Sequence, residues 1–496
     1  MSQQTKSISH EPEPSPLRTQ MQQKPTEFST LAAELVFVTI CSMGQVLFAI
    51  FLGDVVVNQV TLLESMKLPA ENTPWIIGSF LLASGIAVVI FGSLADLTNP
   101  KWLMVTLFGW LTVWNVVGVF SIKPSMHILF FVVRAMQGLA SGGLQATAIS
   151  FLGHVYSPGV RKNRAFAALS AMTPCGFWIG CLKGGALSAH LPWIFASNAI
   201  LCGVICLLAT WNLPSLPASE SRSIRNFDVL GSLCAAAGCG LIIFGLTQGV
   251  PSKWHPYTYS LILAGVVFFG AFHLVERRAK RPLVDNRLWK TSGFLPLVKS
   301  YFLGFGAYIG GWMFYAIRFF LTIQKTSPVT AALYMTPNVV SGILTTWLMA
   351  RTLHLFSGHW ILTIGMVAYL MGPVFFLPQT PNTIYWALSM PGITLVTLGP
   401  DLTFAAASIF ITSSVPRSFQ GSAGSVLITV QNIAAAIMTA VSDTIGERVS
   451  AGESYNLDLT GLRAIWWFSL GTSALGAVIC AVFVRIPRSE EKEHVV

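Results

Sequence analysis

Pro74-Trp75-Ile76-Ile77-Gly78-Ser79-Phe80-Leu81-Leu82-Ala83-Ser84-Gly85-Ile86-Ala87-Val88-Val89-Ile90-Phe91-Gly92-Ser93-Leu94-Ala95-Asp96 carries no charge before its closing aspartate. A helix needs about 20 mostly apolar residues to cross the hydrocarbon core of a bilayer, and this stretch supplies them. Working outward from 74–96, comparable stretches recur at 33–56, 102–121, 127–150, 166–188, 192–212, 228–249 and 257–275. They continue at 294–322, 329–350, 359–377, 384–411, 421–441 and 463–485. Hydrophobic residues make up 53% of the 496 and charged residues only 10%, a balance foreign to soluble domains. The predicted fold class is an all-α polytopic membrane protein with 14 transmembrane helices.

An even number of crossings returns both chain ends to one side. The Lys and Arg of the tails and alternate loops number 20 on that side. The other side holds 6: Lys67, Lys123, Lys253, Lys325, Arg448 and Arg463. Positive charge accumulates on cytoplasmic loops, so both termini are predicted to be cytoplasmic. Topology thus accounts for the net charge of +10, and nucleic-acid binding is not implied. Residues 1–32 are rich in Gln, Ser, Pro and Glu. They have the composition of a disordered tail and lack the apolar core of a signal peptide. All eight cysteines fall inside predicted spans in no metal-ligand pattern, so neither a metal site nor a disulfide is expected. The absence of a phosphate loop, an HExxH pair or a Ser/His/Asp arrangement argues against an enzyme and against a bound cofactor.

Short loops imply a compact bundle. The longer connections at 214–226 and 276–291 bracket spans 228–249 and 257–275, and removing that pair leaves six spans on each side. The expected organisation is a tail at 1–32, a six-helix half at 33–213, a linker with two inserted helices at 214–291, a second six-helix half at 292–485 and a tail at 486–496. Transporters are commonly built from repeated halves with a site at the midplane between them. Lys101-Trp102 and His359-Trp360, which open corresponding spans of the two halves, echo one another. The many intraspan glycines are read first as packing positions, because small residues let helix backbones approach in a bilayer.

Charges within spans are costly and usually face a cavity or a partner. Arg134 lies about two turns into its span, as a brace between helices or as a coupling residue. Lys183 lies deep in the fifth span, either paired to carbonyls along a packed interface or responding to substrate charge. Lys299 and Arg318 are near enough to span ends to snorkel. Asp401 follows Gly399-Pro400, a pair expected to open the helix toward a cavity, and serves as a proton carrier or a helix cap. Asp54 lies near the outer mouth, and Glu34, Asp96 and Asp228 lie at span ends. Trp178, Phe305, Tyr308, Trp312, Phe314 and Tyr315 are candidates to line an apolar cavity.

Three motifs in register carry a family resemblance. Gly92-Ser93-Leu94-Ala95-Asp96 with Lys101 resembles the loop motif between spans two and three of the major facilitator superfamily. Arg134-Ala135-Met136-Gln137-Gly138 resembles its span-four motif. The run from Gly176 through Gly180 to Gly184 and Gly185 resembles the glycine-rich span-five motif of fourteen-span drug:proton antiporters. Arg161-Lys162-Asn163, Met172-Thr173-Pro174-Cys175-Gly176-Phe177, Gly399-Pro400-Asp401-Leu402-Thr403-Phe404 and Val415-Pro416-Arg417-Ser418-Phe419-Gln420-Gly421 resemble the fungal aminotriazole-resistance-type branch. Asp54 and Asn58 resemble the Asp-centred motif of span one, one residue out of step. The chain departs from the pattern at Leu97-Thr98-Asn99-Pro100-Lys101, where the basic loop residues are reduced to Lys101, and at Cys181, where the antiporter motif has Pro.

The resemblance implies a conformational-switch loop at Gly92, Asp96 and Lys101. It also implies an antiporter seam at Gly176, Gly180, Gly184 and Gly185, and a proton or substrate pathway through Arg134, Lys183, Asp401 and Asp54. The implied function is proton-coupled efflux of a toxin, drug or secondary metabolite by a monomer in a fungal membrane. The plasma membrane is expected first, and a vacuolar or vesicular membrane second. An uptake permease for a small polar solute such as ammonium or borate is the nearest rival, and a non-transporting sensor with the same fold is another. The charge count yields a direct test of orientation. An epitope placed in the loop 276–293 should be reached by antibody only after permeabilisation, and labelling in intact cells would reverse the assignment.

Overall fold

The structure is a computed structural model, and it describes residue 28 and residues 30–156, 160–215, 227–278, 286–352, 356–415, 420–450 and 457–486. Most of the expected tail at 1–32, linker residues 216–226, loop residues 279–285, Pro416 to Phe419 with Arg417, and most of the tail at 486–496 lie outside the described residues. The described chain is helical, with no strand. Its long helical runs are α1 (Leu31–Val56), α2 (Thr73–Leu97), α3 (Pro100–Val119), α4 (His127–Val155), α5 (Val160–Ala186), α6 (Pro192–Asn212), α7 (Val229–Gly249) and α8 (Pro256–Glu276). They continue as α9 (294–323), α10 (Thr336–Thr352), α11 (Gly358–Phe376), α12 (389–414), α13 (Gln420–Val449) and α14 (Leu459–Phe483). Eleven helices of the described residues are long and apolar enough to cross a membrane. The runs α5, α9 and α10 are not among those eleven. In α9, α-helical turns alternate with π-helical stretches at Ala307–Met313 and Phe319–Ile323, and a separate short helix, Pro328–Tyr334, precedes α10.

The helix starts follow from local chemistry. Thr30 accepts a hydrogen bond from the Ala33 amide, Asp228 from that of Gly231 and Asp458 from that of Gly461, so side chains satisfy amides that have no intrahelical partner. The departure at Leu97 to Lys101 has the same explanation. Asn99 caps α3 by accepting from the Lys101 amide at 3.1 Å, and Pro100 occupies the first turn, where its missing N–H costs nothing.

Helices α1 to α6 pack together, with α1 along α5, α2 along α4 and α3 along α6. Helices α9 to α14 form a second group in which α11 contacts α12 and α14. The α7–α8 pair crosses at Gly238 and Gly265, and α7 leans on α2 and α13. Trp75 on α2 donates to Gln248 on α7 at 2.8 Å. The outward face of α8 exposes Tyr259, Leu263 and Val267, a surface suited to lipid.

Glycine sets the closest helix pair. A Cβ at Gly176 would lie 2.7 Å from the Val46 carbonyl oxygen, one at Gly180 2.5 Å from that of Ile50, and one at Gly184 2.6 Å from that of Asp54. These three glycines recur every four residues and so share one face of α5, which rests on the α1 backbone. Gly185 points elsewhere, against Pro328 and Val329 of the other group. The packing role expected for these glycines is therefore carried by backbone contact. Gly180→Ala should destabilise the detergent-purified protein by about 1–3 kcal/mol, as overpacking does. Gly153→Ala, where a Cβ meets nothing within 4 Å, should not. Equal melting temperatures for the two variants would refute the seam.

Candidate functional site

Between the two helix groups lies a cavity. One wall comes from α1, α2 and α5 through Gln45, Phe48, Leu52, Leu81, Thr173, Pro174 and Phe177. The other comes from α9, α10, α12 and α13 through Tyr301, Phe305, Tyr308, Asn338, Thr397, Asp401, Phe404, Gln431 and Asn432. Apart from Asn338, in the first turn of α10, these residues lie well inside their helices rather than at the ends. The lining is aromatic and aliphatic with a few amides and hydroxyls, the usual make-up of a small-molecule site. Among the described residues Asp401 is its single acid, and none of them is Lys, Arg or His.

Asp401 is held where α12 is interrupted. Segments Ser389–Val396 and Leu398–Ser414 meet at Thr397. Pro400 has no N–H to offer the carbonyl one turn back, which explains the break. The expected opening is thus confined to one residue, and Thr397 itself keeps right-handed helical angles. Buried Oδ2 of Asp401 has no hydrogen-bond partner. Beside it, a Cβ at Gly342 on α10 would lie 3.4 Å from that oxygen and 3.2 Å from Pro174.

Around the carboxylate the polar groups are tied to one another. Asn338 donates to the Tyr308 hydroxyl at 3.0 Å and to Thr397 Oγ1 at 3.1 Å, and Tyr301 donates to Gln431 Oε1 at 3.2 Å. Tyr308 stands on the first π-helical stretch of α9, a feature frequent at functional sites. Hydrogen bonds between the halves are few among the described residues, although α13 packs along α2 with Ile433 against Gly85. Asn432 reaches Ser84 at 3.3 Å and Gln145 at 3.4 Å, and Trp178 donates to Thr336 at 3.1 Å. Of the six aromatics expected at the cavity, Phe305 and Tyr308 line it. Trp312 is buried against Tyr308, while Phe314 and Tyr315 line a smaller cavity of about 230 Å³ with Arg318 and Asp443.

The other charged candidates are not at this cavity. Lys183 pairs with Asp54 at 3.1 Å and with the Asn198 side-chain oxygen, and Asn198 donates to the same Asp54 oxygen at 2.8 Å. Lys183 is thus paired to side chains rather than to carbonyls, where α1, α5 and α6 meet in one polar cluster. Asn58 extends it, donating to the Asp54 and Gly184 carbonyls at 2.8 Å each. Arg134 is fully buried. It donates to the Phe51 carbonyl and to Gln137 at 2.9 Å each, and its guanidinium lies 4.5 Å from the Phe80 ring centroid. These contacts tie α4 to α1 and α2.

At the chain-end face, Asp96 accepts from Ser150 at 2.6 Å, whereas Lys101 lies 5.6 Å from its neighbour's Trp102 ring. Gly92 is buried in the last turns of α2. Arg318, expected to snorkel outward, is only 6% exposed, while Lys299 is exposed. Glu34 is buried rather than interfacial. It accepts from the Tyr156 hydroxyl at 3.1 Å and pairs with Arg161 at 3.5 Å. Burial, reinforced by that carboxylate, pushes the Tyr156 hydroxyl above the ordinary tyrosine range. Sequence reading missed Asn338, Asn432, Gln431 and Asn198. Their one signal is a carboxamide inside an apolar span, weaker than a charge.

The family model described as Major Facilitator Superfamily matches residues 35–439. A low affinity ammonium transporter of Saccharomyces cerevisiae is 29% identical over 86% of this chain and 84% of its own length. The efflux pump terJ of Aspergillus terreus is 25% identical, with 92% and 88% covered. The aminotriazole resistance protein of S. cerevisiae is 25% identical, with 93% and 86% covered. Among solved structures, the human organic anion transporter MFSD10 superposes with a TM-score of 0.61 at 15% identity, over 92% of this chain and all of that one.

The Asp54–Lys183 pair can be tested by double substitution. Lys183→Met strands a buried carboxylate and should lower stability by about 3 kcal/mol, while Lys183→Met with Asp54→Asn should recover part of the loss. Thermal unfolding of the purified variants reads both, and a single variant as stable as the parent would remove the pair from the fold's supports.

Proposed function

The chain belongs to the Major Facilitator Superfamily, as a membrane transporter and not an enzyme, and from that premise we propose that it exports a small organic toxin, drug or secondary metabolite in exchange for protons. The observation that carries this reading is Asp401, the lone charged residue among the described lining of a cavity between two helix groups, with one oxygen free of partners. A carboxyl group so placed can take a proton from one side and release it to the other as the cavity changes its opening. Rocking of the two groups about a midplane site is how repeated-half transporters alternate access.

In this reading 14 helices cross the membrane as two six-helix halves with α7 and α8 inserted. Both termini are cytoplasmic, and a monomer acts in the plasma membrane or in a vacuolar or vesicular one. Asp54 with Lys183, and Arg134 with Gln137, hold the first half together as it moves. Gly92, Asp96 and Lys101 mark the loop that slides at the chain-end face. Similarity to fungal efflux and resistance proteins supports export. The ammonium-transporter relative favours uptake of a small cation as a second reading, but a cavity walled mostly by aromatic and aliphatic side chains offers apolar surface that ammonium cannot use.

Proteoliposomes loaded with a panel of labelled compounds separate these readings. An imposed proton gradient should drive counter-movement of an organic compound, an uncoupler should abolish it, and Asp401→Asn should abolish it while the protein still inserts. Full concentrative transport after collapse of the gradient would overturn proton coupling. Normal gradient-driven transport by Asp401→Asn would reassign that residue to structure.

A further inference from the structure

The hydrogen-bond inventory around Asp401 says more about the cargo than its charge does. A carboxamide has two N–H donors and one carbonyl acceptor. Asn338 spends its amide nitrogen on Tyr308 and Thr397, so what it has left for the cavity is its carbonyl oxygen. Thr397 and Asp401 are four residues apart on one face of α12, and Asn338 and Gly342 are four apart on the facing side of α10. Asn338 bonds Thr397, and one turn along Gly342 stands opposite Asp401 with no side chain between them. The Asp401 carboxylate and the Asn338 oxygen are thus two acceptors about one helical pitch apart, roughly 5 Å. No Lys, Arg or His among the described lining residues answers them. The rings of Phe48, Phe177 and Phe305 complete the wall with flat apolar surface.

We propose that the cavity takes aryl cations carrying several N–H donors, of the amidine or guanidine class, and holds them between the Asp401 carboxylate and the Asn338 carbonyl oxygen. The proposal rests on the reading of this cavity as the cargo site. A planar cation with paired N–H groups can bond a carboxylate through two parallel hydrogen bonds and still present a further N–H one pitch away. A quaternary ammonium ion satisfies the charge but leaves both acceptors without donors. A carboxylate is repelled and supplies no donor. Gly342 is part of this selectivity, because any side chain there would fill the space beside the carboxylate oxygen.

The test is equilibrium binding to the full-length protein in detergent or nanodiscs with three probes of similar size: benzamidine, phenyltrimethylammonium and benzoate. Benzamidine should bind at least about tenfold tighter than phenyltrimethylammonium, the scale of one charge-assisted hydrogen bond, and benzoate should not compete. Asn338→Ala should bring the two cations to similar affinity. Thr397→Val, which frees one N–H of Asn338, should narrow the gap by another route. Asp401→Asn should weaken both cations. Equal affinity for the two cations in the parent protein would overturn the donor-count argument, and preferential binding of benzoate would overturn the whole assignment. No benzamidine binding, alongside proton-driven efflux of neutral or anionic compounds, would sink this proposal and leave the efflux reading intact. Loss of gradient-driven transport for every compound would instead remove the reading beneath it.

Discussion

Backbone lies on backbone where α5 meets α1, because Gly176, Gly180 and Gly184 present no side chain to Val46, Ile50 and Asp54. In lipid, helices gain little from hydrophobic contact with one another, and close packing of small residues takes over. Much else in the first helix group depends on this approach. It brings Lys183 onto Asp54 and lets Asn58 reach the Gly184 carbonyl. It also sets Pro174 and Phe177 at the cavity wall beside Gln45 and Phe48. Cys181, standing where the antiporter motif has Pro, is buried in the same seam against Gly53.

The treatment of charge follows from the same low-dielectric setting. A buried ion is tolerated when it is paired and hydrogen-bonded. Asp54, Lys183 and Arg134 meet that condition with named partners on other helices, and so does Glu34 at the chain-end face. Asp401 does not. Its neighbours satisfy one another instead, Asn338 with Tyr308 and Thr397, and Tyr301 with Gln431, and its buried Oδ2 is left without a partner. An unpaired polar atom in such a place is a cost that binding or protonation relieves.

The interface between the two helix groups has a different character from their interiors. Within each group, helices meet along glycine seams and aromatic contacts such as Tyr308 on Tyr369. Between the groups, the contacts include single hydrogen bonds from Asn432 and Trp178 and a glycine at Gly185 against Pro328 and Val329. Few hydrogen bonds among the described residues join the groups, so opening would mainly separate van der Waals packing such as that of α13 on α2 at Ile433 and Gly85.

Much of this was legible in the chain itself. Apolar length and the near absence of charge dictate membrane-crossing helices, and the four-residue spacing of Gly176, Gly180 and Gly184 dictates a face able to touch another backbone. Asp401 beside Gly399-Pro400 stood out because an acid and a helix breaker are both expensive in an apolar span. What one-dimensional reading could not supply is pairing. Lys183 and Asp54 are 129 residues apart, and nothing local says that they neutralise each other rather than serve a substrate. Likewise, Asn338 is an ordinary amide until Tyr308 and Thr397 occupy its donors. Composition and periodicity act along the chain and so determine which segments become helices and which faces stay bare. Whether a buried polar group is a brace or a binding group depends on what other helices bring within about 3 Å of it, and only the tertiary structure decides that.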